Sequence, residues 1–308
     1  MIVALIIASV ALLIVPGMSR GPLTRISGAE ATRLTLFAVC AGAVSLLFGL
    51  IALAVPSVGH TLGIPALEAC RSVIGGFEPG GHLVGWIAAG AAASLVGRTV
   101  LTLVRLQRAR HVEVEAWIGI HEERVAFDLV VLPTDELVAF GAHRPDPPQI
   151  VISDGIRAVL TVDELEAVVE HERAHLDLRH HRHLRALALV DDAFGWIPFV
   201  RESTRQARNA IERWADEACS ADPATRAALA RALVTVAASD RPINAPTGDG
   251  RGVLDRTACL RHPPGPPPLT VRARALAPAS ALAATAVVLA TLWLGVLAAG
   301  GVPVTGCH

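Results

Sequence analysis

Four stretches, 1–18, 34–55, 83–104 and 276–299, run almost without charge for the length a helix needs to cross a bilayer, and nothing else in the chain restricts its fold as strongly. A spanning helix takes about 20 apolar residues at about 1.5 Å of rise each. Within hydrocarbon every backbone N–H and C=O must be satisfied inside the segment, so these stretches are expected as helices rather than loops or open strands. Only the third is interrupted by a charge, Arg98. Composition agrees, since 52% of the 308 residues are hydrophobic and 18% charged, where soluble domains carry about 25% charged residues. The first stretch has no basic residues ahead of it and no Ala-x-Ala site after it. It therefore reads as a retained span, not a signal peptide.

Arginine placement supplies an orientation, because short cytoplasmic loops collect Arg and Lys. The chain has no lysine, so arginine carries this signal alone. Arg20, Arg25 and Arg33 follow the first stretch, Arg105, Arg108 and Arg110 follow the third, and Arg272 and Arg274 precede the fourth. The intervening loop 56–82 has Arg71 against Glu68 and Glu78. One topology satisfies all four cues: a plasma (inner) membrane protein with both termini external and the large region 106–275 cytoplasmic. Arg98 is expected either to snorkel to the inner interface or to meet a partner from that region. The net charge of -1 gives no footprint for direct nucleic-acid binding. Cys70 and Cys307 share the outer face under this topology, which is compatible with a disulfide and with two unpaired thiols.

The cytoplasmic region divides into a folded part, 106–240, and a Pro/Gly-rich linker, 241–275, that includes Pro266, Pro267 and Pro268. A tail, 300–308, follows the fourth stretch. Alternating and β-branched residues predict strands over 112–120, 124–132 and 149–153. Thr161 and Glu164 have the spacing of a capping box, and Leu165, Val168 and Val169 continue at helical spacing. A long helix is expected from there through His175 toward Leu189, and a second over 205–221 that ends before Pro223.

On the first of these helices stands His171-Glu172-Arg173-Ala174-His175, the pattern H-E-x-x-H. Residues i and i+4 share a helix face, so both imidazoles can reach one metal ion at about 2.0–2.1 Å. Glu172, between them, is placed to act as general base toward a water activated by that metal. A catalytic zinc takes three protein ligands and keeps one position open. Glu212, on the second predicted helix, is the candidate third ligand, and Asp216 one turn later can accept the remaining N–H of a ligating histidine. One Zn2+ per chain is expected. His180, His181 and His183 cluster beyond the motif and read as a polar helix surface.

With these elements in hand, the chain resembles the BlaR/MecR type of membrane zinc metallopeptidase, the peptidase half of beta-lactam sensor-transducers, and more distantly HtpX and CAAX-processing proteases. Ala139-Phe140-Gly141 and Ile150-Val151-Ile152-Ser153 are similar to that family's A-F-x-x-G and following strand. His180 falls at its polar position after H-E-x-x-H, Trp196-Ile197-Pro198 at its W-x-P, and Glu212 to Asp216 at its E-x-x-[AC]-D. The resemblance implies four transmembrane helices plus an α+β zincin-like metallopeptidase domain. It also implies proteolysis of a cytoplasmic protein, a BlaI-type repressor, or of the chain's own linker. An external penicillin-binding sensor is not expected, since only 300–308 follow the last stretch. Two rival readings are an HtpX-like quality-control protease and a zinc-binding membrane sensor or scaffold without turnover.

Overall fold

The computed structural model describes residues 2–18, 23, 26–63, 82–118, 123–126, 129–142, 147–239 and 250–261. The fourth apolar stretch, the tail, Cys70 and Cys307 lie outside the described residues. The chain is mostly helical. Three apolar helices come first: α1 (Ile2–Met18), α2 (Gly28–Leu62) and α3 (His82–Ile118). A small sheet follows, built from β1 (Glu123–Ala126), β2 (Leu129–Leu132), β3 (Ala139–Ala142) and β4 (Gln149–Ser153). Six more helices complete the described chain: α4 (Asp154–Val159), α5 (Val162–Asp177), α6 (His180–Phe194), α7 (Pro198–Cys219), α8 (Pro223–Ala237) and α9 (Gly250–Arg261).

By length and composition α2 and α3 are able to cross a membrane, and α1 is a shorter apolar helix. Their outward faces carry exposed apolar side chains, among them Phe37, Phe48, Trp86 and Val100. Hydroxyls on these helices donate back to the carbonyl four residues earlier, as Ser9 does to Leu5 and Thr99 to Leu95. That arrangement removes a polar donor from an apolar surface. The start of α2 is set by Ser27, whose side chain accepts from the Glu30 N–H.

Residues 112–118, expected as a strand, continue α3 instead. Their Val/Glu alternation suits a strand, but no proline interrupts 82–118, and extending an existing helix avoids a new nucleation step. The expected strand 124–132 is a hairpin, β1 pairing antiparallel with β2 across 127–128. The sheet order is β1-β2-β4-β3, with β2 and β4 parallel and β3 antiparallel to β4. β3 is therefore an edge strand. Alternation along the strands buries Val130, Leu132 and Val151 on one face, and Val131, Ile150 and Ile152 on the other against α4, α5 and α8.

The capping box forms as the sequence requires: Thr161 accepts from the Glu164 N–H, and the Glu164 carboxylate accepts from the Thr161 N–H at 3.0 Å. The helix it starts ends earlier than expected. After Leu178 the chain turns through Arg179 in the left-handed region, φ 53°, and restarts as α6. A non-glycine residue there is strained by about 1–3 kcal/mol. The turn brings His180 back beneath the preceding helix.

α7 joins the two halves of the molecule. Leu13 of α1 and Val39 of α2 share a buried cluster with Leu187, Phe194, Val200, Ala207 and Ile211 from α6 and α7. Polar contacts reinforce this packing along one side of α7. Ser203 Oγ donates to the Leu13 carbonyl at 2.7 Å and accepts from the Gly17 N–H at 2.8 Å, and Arg213 donates to the Leu23 and Ile26 carbonyls. The Gly28 N–H, at the start of α2, donates to both Glu217 oxygens at 2.9 Å. A side chain at Gly28 would meet the Trp214 backbone nitrogen at 2.4 Å, so this close approach requires glycine. The other side of α7 carries Glu212 and Asp216.

Within the stretch read as a linker, Gly250–Arg261 is a helix, α9, with Arg256, Thr257 and Leu260 buried. Leu260 packs with Ala167, Ala228 and Leu229. Apolar contact of this kind is what a loosely packed linker would lack.

Candidate metal centre

α5 presents His171 and His175 one turn apart, and α7, crossing it, presents Glu212. His171 Nε2 and His175 Nε2 are 3.1 Å apart, and they lie 3.5 and 3.7 Å from the two Glu212 oxygens. Donors held about 2.0–2.2 Å from one ion at tetrahedral angles stand about 3.3–3.6 Å from each other. The spacing therefore fits a single small divalent cation, and the donor set, two imidazoles and a carboxylate, suits zinc. Three such ligands leave a fourth position for a reactant.

The nitrogens facing away from the centre also lie close to polar atoms. His171 Nδ1 lies 3.0 Å from Asp216 Oδ1, and His175 Nδ1 lies 3.0 Å from His180 Nδ1. Both contacts aim Nε2 of each ring inward. His180 is buried, and burial, with the charges of His175 and His183, pushes its pKa down to about 3, so it faces His175 as a neutral ring. On its other side it packs against the Trp214 indole, ring centroids 4.9 Å apart. Replacing His180 by Ala is expected to weaken zinc affinity by about 10–100-fold. His180→Asn, which keeps a polar atom near the Nδ1 position, should retain most of it. Competition with a chromophoric chelator measures both; equal affinities for wild type and His180→Ala would remove this orienting role.

Glu172 points into the same cleft, and its carboxylate accepts from the Gly141 N–H at 3.0 Å. Burial pushes its pKa up, against the pull of His171 and His175. A raised carboxyl pKa brings a general base nearer to working pH. Gly141 sits where a side chain would meet Leu176 at 2.7 Å and the Glu172 carbonyl at 3.1 Å, so a residue without Cβ lets β3 run close beside α5. The cleft has a volume of about 280 Å3, one wall of which is β3, and an apolar side formed by Leu229, Leu233 and Val236 of α8.

The largest feature that sequence reasoning missed is Arg256, on α9. Its Nη1 donates to Glu212 at 2.9 Å, and its Nε and Nη2 donate to the two Asp216 oxygens at 2.8 and 2.7 Å. Nη2 also lies 3.3 Å from His171 Nε2. Burial alone would raise the two carboxyl pKa values, but the Arg256 charge together with the imidazoles holds Glu212 well below the usual range and Asp216 below it. A signal was present in the sequence, since Val253, Arg256, Thr257 and Leu260 have the i, i+3, i+4, i+7 spacing of a packed helix face. The proline-rich surroundings masked it.

The structure brings every sequence-predicted site residue, His171, Glu172, His175, His180, Glu212 and Asp216, to one place. His183 stays at the periphery, its ring tilted against Trp214 with centroids 5.8 Å apart, with Arg33 of α2 over the same indole at 5.3 Å. Among known families, residues 105–245 match the model of Peptidase family M48, a zinc-dependent family of peptidases. That stretch holds His171, Glu172, His175, His180, Glu212 and Asp216, whereas Arg256 and the rest of α9, and Arg33, lie outside it. No curated protein and no solved structure matches the chain.

Proposed function

We propose that the chain is an integral-membrane zinc endopeptidase that cleaves a cytoplasmic protein or its own 241–275 segment, with Glu172 as general base. The observation that carries this reading is the convergence of His171, His175 and Glu212 within 4.8 Å of one another beside the Glu172 carboxylate. A zinc ion held by the trio supplies a Lewis acid for the scissile carbonyl and a water whose pKa is lowered to about 7. Glu172 is placed to take a proton from an attacking water and return it to the leaving amine, and Asp216 and His180 lie where they would keep the imidazoles aimed. The Gly141 N–H is directed away from β4 toward Glu172, so by the alternation of an antiparallel pair the N–H and C=O of Ala139 also face the open edge of β3. An extended substrate can pair with that edge and lie across the metal centre.

The membrane location rests on the apolarity of α1, α2 and α3 and of the stretch 276–299, and the cytoplasmic side of the peptidase half on the arginine distribution. The finer reading, a BlaR/MecR-type regulatory protease acting on a BlaI-type repressor, is supported by the interval between His175 and Glu212. Its helix α6 has 15 residues and contains Asp191 and Asp192, too short and too polar for the full span that HtpX-type proteases place there. Comparative proteomics of cells carrying wild-type or Glu172→Gln protein tests the proposal. One or a few cytosolic fragments lost in the variant support regulated proteolysis. Accumulation of many misfolded membrane proteins would favour quality control instead, and unchanged proteomes would favour a scaffold without turnover.

A further inference from the structure

We propose that the turn joining α6 to α7, residues 194–199, is an interfacial anchor seated in the headgroup and upper acyl region of the bilayer leaflet on the peptidase side. The proposal rests on the reading that α1 to α3 cross that bilayer. Its tip exposes two aromatic side chains, Trp196 at 74% and Phe199 at 51%, close to Met18 at the end of α1, which is 69% exposed. The segment 193–200 contains no charged residue. Membrane–water interfaces select tryptophan because its amphipathic ring fits the headgroup level, and an exposed phenylalanine beside it can enter the upper acyl region.

Three observations place the tip at that depth. First, the Ser203 contacts with Leu13 and Gly17, and the Gln206 amide donating to the Gly17 carbonyl at 3.1 Å, hold the first turns of α7 against the last turns of α1. Second, Arg98 of α3 donates to the Asp192 carbonyl, and its Nε is 3.8 Å from the Asp192 carboxylate. Arg98 precedes Arg105, the first basic residue of the α3 exit, by seven residues, about 10 Å along the helix. The end of α6 therefore reaches inside the apolar part of α3. Third, the turn is prepared for a poorly hydrated setting. Asp192 is paired with Arg98, Asp191 with Arg208 at 2.6 Å, and the N–H groups of Gly195, Ile197 and Val200 donate to the Asp191, Phe194 and Ile197 carbonyls. Pairing these three N–H groups and both carboxylates lowers the cost of taking the turn out of bulk water.

The anchor fixes the position of the cleft. Glu212 stands 13 residues beyond Phe199 on the same helix, about 20 Å along its axis. A rigid α7 held at its amino end by the bilayer sets how near the leaflet a protein must present its scissile bond.

Fluorescence quenching in reconstituted vesicles tests this. The full chain is placed in phosphatidylcholine vesicles whose acyl chains carry bromine near the headgroup, and the emission of wild type, Trp196→Phe and Trp86→Phe is compared. The difference between wild type and Trp196→Phe reports Trp196, and the corresponding difference for Trp86 reports α3. The expected result is that brominated lipid removes about half or more of the Trp196 contribution and that aqueous iodide removes little of it. Quenching of Trp196 by iodide and not by bromine, with Trp86 quenched by bromine, would overturn the anchor alone. Loss of bromine quenching at both positions would overturn the membrane reading on which it rests. Phe199→Trp supplies a second reporter, expected to gain a bromine-quenched component; a gained component quenched only by iodide counts against the anchor.

Discussion

Replacing Glu172 by Gln is expected to lower hydrolysis of a protein substrate by about 10^2–10^4-fold, the range that positioned proton transfer contributes. Zinc content should stay at one ion per chain. The amide has nearly the shape of the carboxylate and keeps an oxygen for the Gly141 N–H, but it cannot take a proton. Stability supplies a separate check. Burial raises the Glu172 pKa in the folded chain above its ordinary value of 4.5. A group with a raised folded pKa contributes stability below the unfolded value, and that contribution is lost as pH rises through the folded value. At pH values above the ordinary carboxyl range the raised pKa thus makes Glu172 a net liability for the metal-free fold, and Gln removes it. Thermal melting with a chelator present should give a midpoint for the variant equal to or above that of wild type. Activity surviving near the wild-type level would dismiss Glu172 as the base, and simultaneous loss of zinc would make the result structural.

The second large effect belongs to Arg256. Substitution by Met keeps much of the side-chain volume and removes the charge that faces half-buried Glu212 and buried Asp216. Breaking a buried ion pair from one side leaves an uncompensated charge and destabilises by about 3–5 kcal/mol. The melting midpoint of metal-free Arg256→Met should therefore fall well below that of wild type. Added zinc should narrow the gap, because a divalent cation on Glu212 compensates the same carboxylate. Arg256→Lys is expected to fall between the two, since an ammonium cannot make the forked contact to Asp216 while still reaching Glu212. A midpoint unchanged in Arg256→Met would mean that α9 is not seated in the site.

Much of the centre was legible because its determinants are local. His171, Glu172 and His175 announce themselves through helical spacing, Thr161 and Glu164 through the capping box that starts their helix, and Glu212 with Asp216 through a second one-turn interval. The less legible parts depend on competition between local preference and distant contact. Residues 112–118 alternate like a strand but extend a helix already formed, and 178–179 lie in an apparently continuous helical pattern that the chain breaks at Arg179. No periodicity reveals that break, because its effect, the contact of His180 with His175, appears only when both rings are in place.

Taken alone, the amino-acid order determined which segments are apolar, which side chains are candidates to hold a metal and which residue is the candidate base. Those properties follow from residue type and from spacings within a few helical turns. Tertiary structure decided what completes the centre. Arg256 reaches His171 across 85 residues of sequence, Gly28 approaches Glu217 across 189, and Arg98 meets Asp192 across 94. The physical reason is that a buried charge or polar group must be matched wherever the fold brings a partner within hydrogen-bond distance, and proximity of that kind leaves no period in the sequence.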